Sequence, residues 1–201
     1  MTGSRPVLSE NFNQSHIPTN LQLEYLNTCG TNSHTNHVKG RFSLRHPVLY
    51  GEYELMIDDK HRLLVPSEVR RCMNPELDGE AFFLIVGINR KPWLYPARYY
   101  AELAAQQSQE ITPGEDLLAF DQLNFAMASR LEWDKQGRMV LPEKTLRRTN
   151  TNKEVTLIGA NNHLELWNRA DWEARFEELF ARSNEIALRA KQARQTSVVP
   201  G

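Results

Sequence analysis

Cysteine is scarce in this chain. Cys29 and Cys72 are the two that occur. Cys29 lies in a polar, aperiodic arm, so no structural disulfide is expected and a reducing compartment is. Long apolar runs are missing as well. None approaches the ~20 residues that a membrane span needs, and Met1 is not followed by the apolar stretch of a secretory signal. The expected location is the cytoplasm, with no membrane partner. A dominant charge is absent too: 24 Lys and Arg stand against 25 Asp and Glu, a formal net charge of −1. That sum neither supports nor excludes nucleic acid, because local patches govern such binding. The sequence also lacks a Ser/His/Asp set, a phosphate-cradling Gly loop and a zinc motif. His34 and His37 with Cys29 have no fourth ligand and no framework around them. Asp58 and Asp59 are neighbours in a turn, where adjacent side chains diverge and do not share a proton. Catalysis, a cofactor, a bound metal and a small-molecule substrate are therefore not expected.

What is present is a repeat. Ile57-Asp58-Asp59-Lys60-His61-Arg62-Leu63-Leu64-Val65-Pro66 returns as Trp133-Asp134-Lys135-Gln136-Gly137-Arg138-Met139-Val140-Leu141-Pro142. Both copies read apolar, Asp-x-x-x-Arg, three apolar residues, Pro. A pair of arginines follows each, Arg70-Arg71 and Arg147-Arg148. Farther on, Ile85-Val86-Gly87 matches Leu157-Ile158-Gly159, and Trp93-Leu94-Tyr95-Pro96 matches Leu164-Glu165-Leu166-Trp167. Units this small bury little core alone, so they should pack on each other or on other chains.

The local signals repeat in the same order. In the first unit, 48–107, Tyr53–Ile57 and Arg62–Val65 read as strands around a turn at 58–61. Pro66 ends the second strand for want of an N–H, and Ser67 or Pro66 starts a short helix. Ala81–Val86 is a buried strand and Trp93–Tyr95 a short one. A helix from Pro96 to about Gln107 turns Tyr99, Leu103 and Tyr100 inward. A connecting segment and helix, 108–128, contains Pro113-Gly114. There Asp116 is a capping residue, and Leu117, Phe120, Leu123 and Met127 recur at helical spacing. The second unit, 129–190, repeats the frame: strands at 129–133 and 138–141 around a turn at 134–137, a helix at 143–149, and strands near 155–158 and 164–167. One long helix, about Ala170–Ala190, carries Trp172, Phe176, Leu179, Phe180 and Ala187 on one face, with Glu178 and Arg182 as an i, i+4 pair. Residues 1–47 and 191–201 read as a disordered arm and a tail, with too few apolar residues to offset the entropy of ordering.

Charge concentrates where the repeat is. Residues 134–148 hold five Lys and Arg against two acids, and residues 58–71 hold four against three. Each turn Asp can brace its hairpin by accepting turn N–H groups, and can also orient the Arg. The planar guanidinium fork matches phosphate oxygens and the O6/N7 edge of guanine. Arg70, Arg71, Lys144, Arg147 and Arg148 form either a solvated helix face or a set of phosphate contacts that position without reading sequence. Lys39, Arg41 and Arg45 could lay the arm along a nucleic-acid backbone.

The doubled Asp-x-x-x-Arg with its following Pro, the Arg pairs and the glycine-ended strands resemble the MraZ family of bacterial transcriptional regulators, which carry tandem SpoVT-AbrB units. The resemblance covers about residues 48–190. It implies an α+β fold in which two AbrB-like swapped-hairpin β units pack as a pseudo-twofold module with flanking helices. It implies a homo-oligomeric ring and a cytoplasmic, nucleoid location. The partner it implies is double-stranded DNA: short direct repeats upstream of the protein's own operon in the division and cell-wall gene cluster, bound as a repressor. By position, the family's DNA contacts fall on Lys60, Arg62, Lys135 and Arg138, with Arg70, Arg71, Arg147 and Arg148 behind them. One position departs from the family: its usual Gly before the Arg is kept as Gly137 but is His61 in the first copy, where a different turn shape is open. A second reading stays open too, an oligomeric scaffold or antitoxin-like protein-interaction module without DNA specificity.

Overall fold

The strands of the two repeats interleave. The computed structural model describes residues 46–106 and 114–196. Strand β1 (Glu52–Met56) alternates half-buried Tyr53 and Leu55 with exposed Glu52, Glu54 and Met56, the period of a strand with one covered face. It runs antiparallel not to its own repeat but to β7 (Glu154–Gly159) of the other, Glu52 opposite Ile158 and Met56 opposite Glu154. Its counterpart β5 (Ser129–Glu132) lies against β3 (Ala81–Val86) of the first repeat, with Leu131 opposite Phe82. The hairpins β3–β4 (Pro92–Pro96) and β7–β8 (Leu164–Asn168) meet through β4 and β8, where Trp93 faces Glu165 and Leu94 faces Leu164. One six-stranded antiparallel sheet results, in the order β1-β7-β8-β4-β3-β5.

A second, two-stranded ribbon pairs β2 (Arg62–Leu64) with β6 (Arg138–Val140). Arg62 stands opposite Val140, Leu63 opposite Met139, and Leu64 opposite Arg138. Just beyond the ribbon the bonds are reciprocal: Val65 N–H donates to the Gly137 carbonyl and Leu141 N–H to the His61 carbonyl, each at 2.8 Å. Leu63 and Met139 are fully buried. With Val65, Leu141 and Val69 they join Phe82, Leu84, Leu94, Leu157 and Leu166 in one core. The ribbon thus closes the core that the large sheet opens.

The helices, with the strands, make the fold mixed α+β. Helix α1 (Ser67–Cys72) and its counterpart α5 (Glu143–Thr149) each follow a Pro that ends the ribbon strand; α2 (Pro75–Asp78), α3 (Ala97–Ala105), α4 (Glu115–Phe125), α6 (Arg169–Ala181) and α7 (Ser183–Thr196) complete the set. The start of α1 is as expected, with Pro66 as N-cap and Ser67 as first residue, though the Ser67 hydroxyl donates to Glu68 and not to the backbone. Several local expectations are corrected. The α4 N-cap is Gly114, whose carbonyl accepts from Leu118 N–H at 3.0 Å, so Asp116 sits inside the first turn. That helix ends at Phe125, leaving Met127 buried beyond it, while Phe120 and Leu123 are exposed. The expected long C-terminal helix breaks at Arg182, with φ −108°. Ser183 and Asn184 follow, residues whose side chains favour helix starts, and the Glu178–Arg182 pair spans the break at 3.5 Å. Phe176 and Phe180 of that stripe are exposed.

Helix α2 was invisible to periodicity because four residues show no period. Its signal is Asn74-Pro75: the Asn74 side chain accepts from Glu76 N–H at 2.9 Å and Pro75 opens the helix. Of the expected arm, 46–47 are in place, with His46 against Tyr99 at 4.6 Å between ring centroids. Residues 1–45, 107–113 and 197–201 lie outside the described residues. The echo of Trp93-Leu94-Tyr95-Pro96 shifts by one residue: burial alternates alike in β4 and β8, which sets Leu94 with Leu166, Tyr95 with Trp167, and Pro96 with Asn168. Pro96 and Asn168 are the N-caps of α3 and α6.

The ribbon generates a stability prediction. Leu63→Ala should lower the urea unfolding free energy by about 2–5 kcal/mol, the range for truncating a packed core leucine. Leu64→Ala, at a side chain 48% exposed, should change it by about 0.5 kcal/mol or less. Equal losses at the two positions would show that the ribbon does not face the core as described.

Candidate nucleic-acid interface

The two Asp-x-x-x-Arg segments fold into twin turns, each built by its aspartate. Asp58 Oδ1 accepts from the backbone N–H groups of Lys60 and Arg62, both at 2.9 Å. Its Oδ2 accepts from Arg62 Nε at 2.7 Å and Nη2 at 2.6 Å. Asp134 repeats the pattern, with Gln136 and Arg138 N–H at 2.8 and 3.0 Å on Oδ1 and Arg138 Nε and Nη2 at 3.1 and 2.9 Å on Oδ2. Backbone bonds close both turns: Asp58 N–H to Arg62 O and His61 N–H to Asp58 O, Asp134 N–H to Arg138 O and Gly137 N–H to Asp134 O, all between 2.8 and 3.1 Å. One carboxylate thus braces the chain and aims a guanidinium, because it is long enough to reach both and carries four lone-pair sites. His61 does not alter the shape. Its φ is +58°, beside +78° for Gly137, so both turns pass through the left-handed region.

Each guanidinium uses its Nε/Nη2 edge on the aspartate, which leaves the end-on Nη1/Nη2 pair for an outside acceptor. Arg62 and Arg138 share the outer face of the ribbon, since Leu63 and Met139 between them point to the core. As diagonal neighbours they stand about 7–8 Å apart at their stems. Exposed Leu64 and Val140 occupy the same face. Lys60 and Lys135 are exposed at the turn tips.

The arginines after the prolines divide. Aligning Pro66 on Pro142 sets Arg70 against Leu146, Arg71 against Arg147 and Cys72 against Arg148, so the two pairs do not repeat in register. Arg70 reaches across to the other repeat's turn: a Cβ on Gly137 would meet its Nε at 2.8 Å and its Cζ at 2.9 Å, and its Nε donates to Val65 O at 3.2 Å. Arg147 lines a cleft with Asp58, Asp59, His61, Leu146 and Lys153, and Arg70 lines the matching cleft with Trp133, Asp134 and Lys135. Arg71 pairs with Glu68 at 3.2 Å on the surface. Arg148 donates to the Met127 sulfur at 2.7 Å, at the foot of β5 and away from the turns. Lys153 is a further cation near the first tip, holding Asp59 Oδ1 at 2.5 Å; its sequence distance from Asp59 hid it. Among the described residues, no group of three or more His, Cys, Asp or Glu side chains could hold a metal ion, and no helix is long and apolar enough to cross a membrane. His34, His37 and Cys29, and the arm cations Lys39, Arg41 and Arg45, lie outside the described residues.

Comparison with known proteins now bears on these twin turns. A family model described as "MraZ protein, putative antitoxin-like" matches residues 124–197. The chain is 33% identical over 137 residues to the transcriptional regulator MraZ of Pediococcus pentosaceus, covering 68% of this chain and 92% of that one. It is 32% identical to the transcriptional regulator MraZ of Clostridium tetani, across 61% of this chain and 83% of that one. This chain belongs to the MraZ family. With the transcriptional regulator MraZ of Neisseria meningitidis the identity is 36%, across 62% of this chain and 82% of that one. In each pair the match spans most of the relative, and in the family model it spans the second turn, the ribbon strand after it and both C-terminal helices.

The turns make an acid-pH prediction. The Arg62 hydrogen bond, with the backbone N–H groups beside it, lowers the Asp58 pKa to about 2; the same groups from Arg138 lower that of Asp134. A carboxylate depressed in the folded state stabilises it fully above its unfolded value, about 3.9, and that contribution disappears as pH falls through the folded value. Carboxyl NMR titration of Asp58 should therefore give a midpoint near 2, with the Arg62 Nε–H signal lost in step. A midpoint near 4 would mean that the brace is not held in solution.

Proposed function

We propose that this MraZ-family protein is a sequence-specific DNA-binding transcriptional regulator, acting as a repressor on short direct repeats upstream of its own operon in the division and cell-wall cluster. The observation that carries the reading is the pair of aspartate-aimed arginines on one outward ribbon face. Holding the guanidinium in place before contact removes part of the ordering cost of binding. The end-on forks suit guanine O6/N7 or phosphate oxygens, and Leu64 and Val140 between them suit thymine methyl groups. The arginine stems lie about 7–8 Å apart, roughly two base pairs at 3.4 Å each. Lys60 and Lys135 take phosphate on either side, with Arg70 and Arg147 behind, and Arg71 and Arg148 farther from the contact.

The interleaved strands support an AbrB-like swapped-hairpin reading of the module, with the ribbon as its pseudo-twofold centre. The exposed apolar faces of α4 (Leu118, Phe120, Leu123) and α6 (Phe176, Phe180) support assembly of several copies into a ring, since contiguous apolar surface of this kind marks interfaces. A ring would multiply individually weak contacts along successive repeats. Such a protein works in the cytoplasm, at the nucleoid.

Fluorescence anisotropy with the DNA upstream of its own gene and a scrambled duplex, at two salt concentrations, tests this. The native protein should prefer the upstream DNA and weaken as salt rises. Arg62→Ala with Arg138→Ala should cost at least about tenfold in affinity, since a bidentate base contact is worth ~1–3 kcal/mol, while fold and assembly stay intact. Equal binding to both duplexes would make it a coating protein. No binding to either would leave the scaffold or antitoxin-like module.

A further inference from the structure

The twin turns share a backbone but not a surface. Where the second turn has Gly137, the facing helix position is Arg70, which lies over that glycine. Where the first turn has His61, the matching helix position is Leu146, and the two line one cleft with Arg147. The exchange is reciprocal: an arginine over a glycine, a leucine beside a histidine. Arg70 thus comes from the helix to the second turn, where the first turn carries an imidazole of its own.

His61 holds its place against a backbone penalty. A non-glycine side chain in the left-handed region is strained, and the second turn shows that glycine serves the same turn. The His61 carbonyl is engaged by Leu141 N–H, but no hydrogen bond to its imidazole is found among the described residues. Around it stand Asp58, Asp59, Lys60 and Arg62 from its own turn. Across the cleft stand Arg147, Asn150 and Lys153. Lys153 holds Asp59, the one acid at this tip that is not bracing the turn, and whose counterpart in the second turn is already a cation, Lys135. The first tip differs from the second at all three positions between Asp and Arg: Asp59 for Lys135, Lys60 for Gln136 and His61 for Gly137.

We propose that His61 is a further DNA-contacting residue, donating from its imidazole to a phosphate beside the acceptor of Arg62. The inference rests on the DNA-binding reading above. Loss of that contact should weaken binding to the upstream duplex by roughly threefold to tenfold, the size of one ordinary net hydrogen bond.

The test compares the full chain with H61G and H61N, since glycine and asparagine both accept the left-handed region. Circular dichroism and size-exclusion chromatography confirm folding and assembly first. Both variants are expected to bind the upstream duplex roughly threefold to tenfold more weakly than the unmodified protein. Variants that bind like the unmodified protein would overturn this inference alone. Failure of the unmodified protein to bind DNA at all would overturn the DNA reading and this inference together.

Discussion

The three-residue pairing of β2 with β6 is the interaction on which the rest depends. Leu63 and Met139 meet there at full burial, and the bonds to the Gly137 and His61 carbonyls tie the end of each ribbon strand to the turn that begins the other. Each turn closes on its own bonds, and its His61 or Gly137 carbonyl is then tied to the other repeat. Remove the ribbon and β1 and β5 lose the connection that carries them across to the opposite hairpin. Pairings this distant in sequence carry a loop-closure cost that only the completed core offsets, so the module should fold as one cooperative unit in which the turns form with the core.

That dependence explains why so few atoms define the surface. A single carboxylate per turn accepts two backbone N–H groups and two guanidinium N–H groups, so a change that loosens the backbone also releases the arginine. The shape of the turn and the aim of the Arg are one constraint. A surface ion pair adds little stability by itself. The aspartate stabilises the conformation of a polar group that would otherwise sample many rotamers, and that matters for recognition more than for folding. The trade of Arg70 over Gly137 for Leu146 beside His61 keeps the same backbone while varying what is presented. Duplication thus gives two rigid supports whose chemistries diverge independently.

Local features of this fold were legible in the sequence, and long-range ones were not. The Asp-to-Arg spacing, the Pro after each ribbon strand and the alternation in β1 all act within a few residues, so the turns and strands stand where those signals place them. Which strand pairs with which is decided by burial of the whole core, and no local signal shows that Tyr53 ends opposite Leu157. Register slips follow from the same cause: the Arg-Arg motif aligns by eye, yet the buried Val69 and Thr145 are what set the helices in phase, and they displace the match by one residue. Helical periodicity ran both apolar stripes past the helix ends, Met127 lying beyond α4 and Ala187 in α7, and could not say whether this chain covers them. Phe120, Leu123, Phe176 and Phe180 stay exposed. Lys153 was hidden because its partner lies in the other repeat.

A formal net charge of −1 is compatible with a DNA-facing surface because of how the charges are distributed. On the C-terminal helices arginine and glutamate neutralise one another within a turn or two: Arg175 with Glu178, Arg182 with Glu178 and Glu185, Arg189 with Glu185. Those pairs generate little field beyond a Debye length of ~10 Å. At the ribbon end the acids are spent inward. Asp58 and Asp134 face their own turns, Asp59 is held by Lys153, and Lys60 and Lys135 have no ion-pair partner among the described residues. The acids that balance the total sit where they cancel locally. The cations at the turns are left to act outward, so the potential outside the ribbon is set by this end of the molecule and not by the sum over the chain.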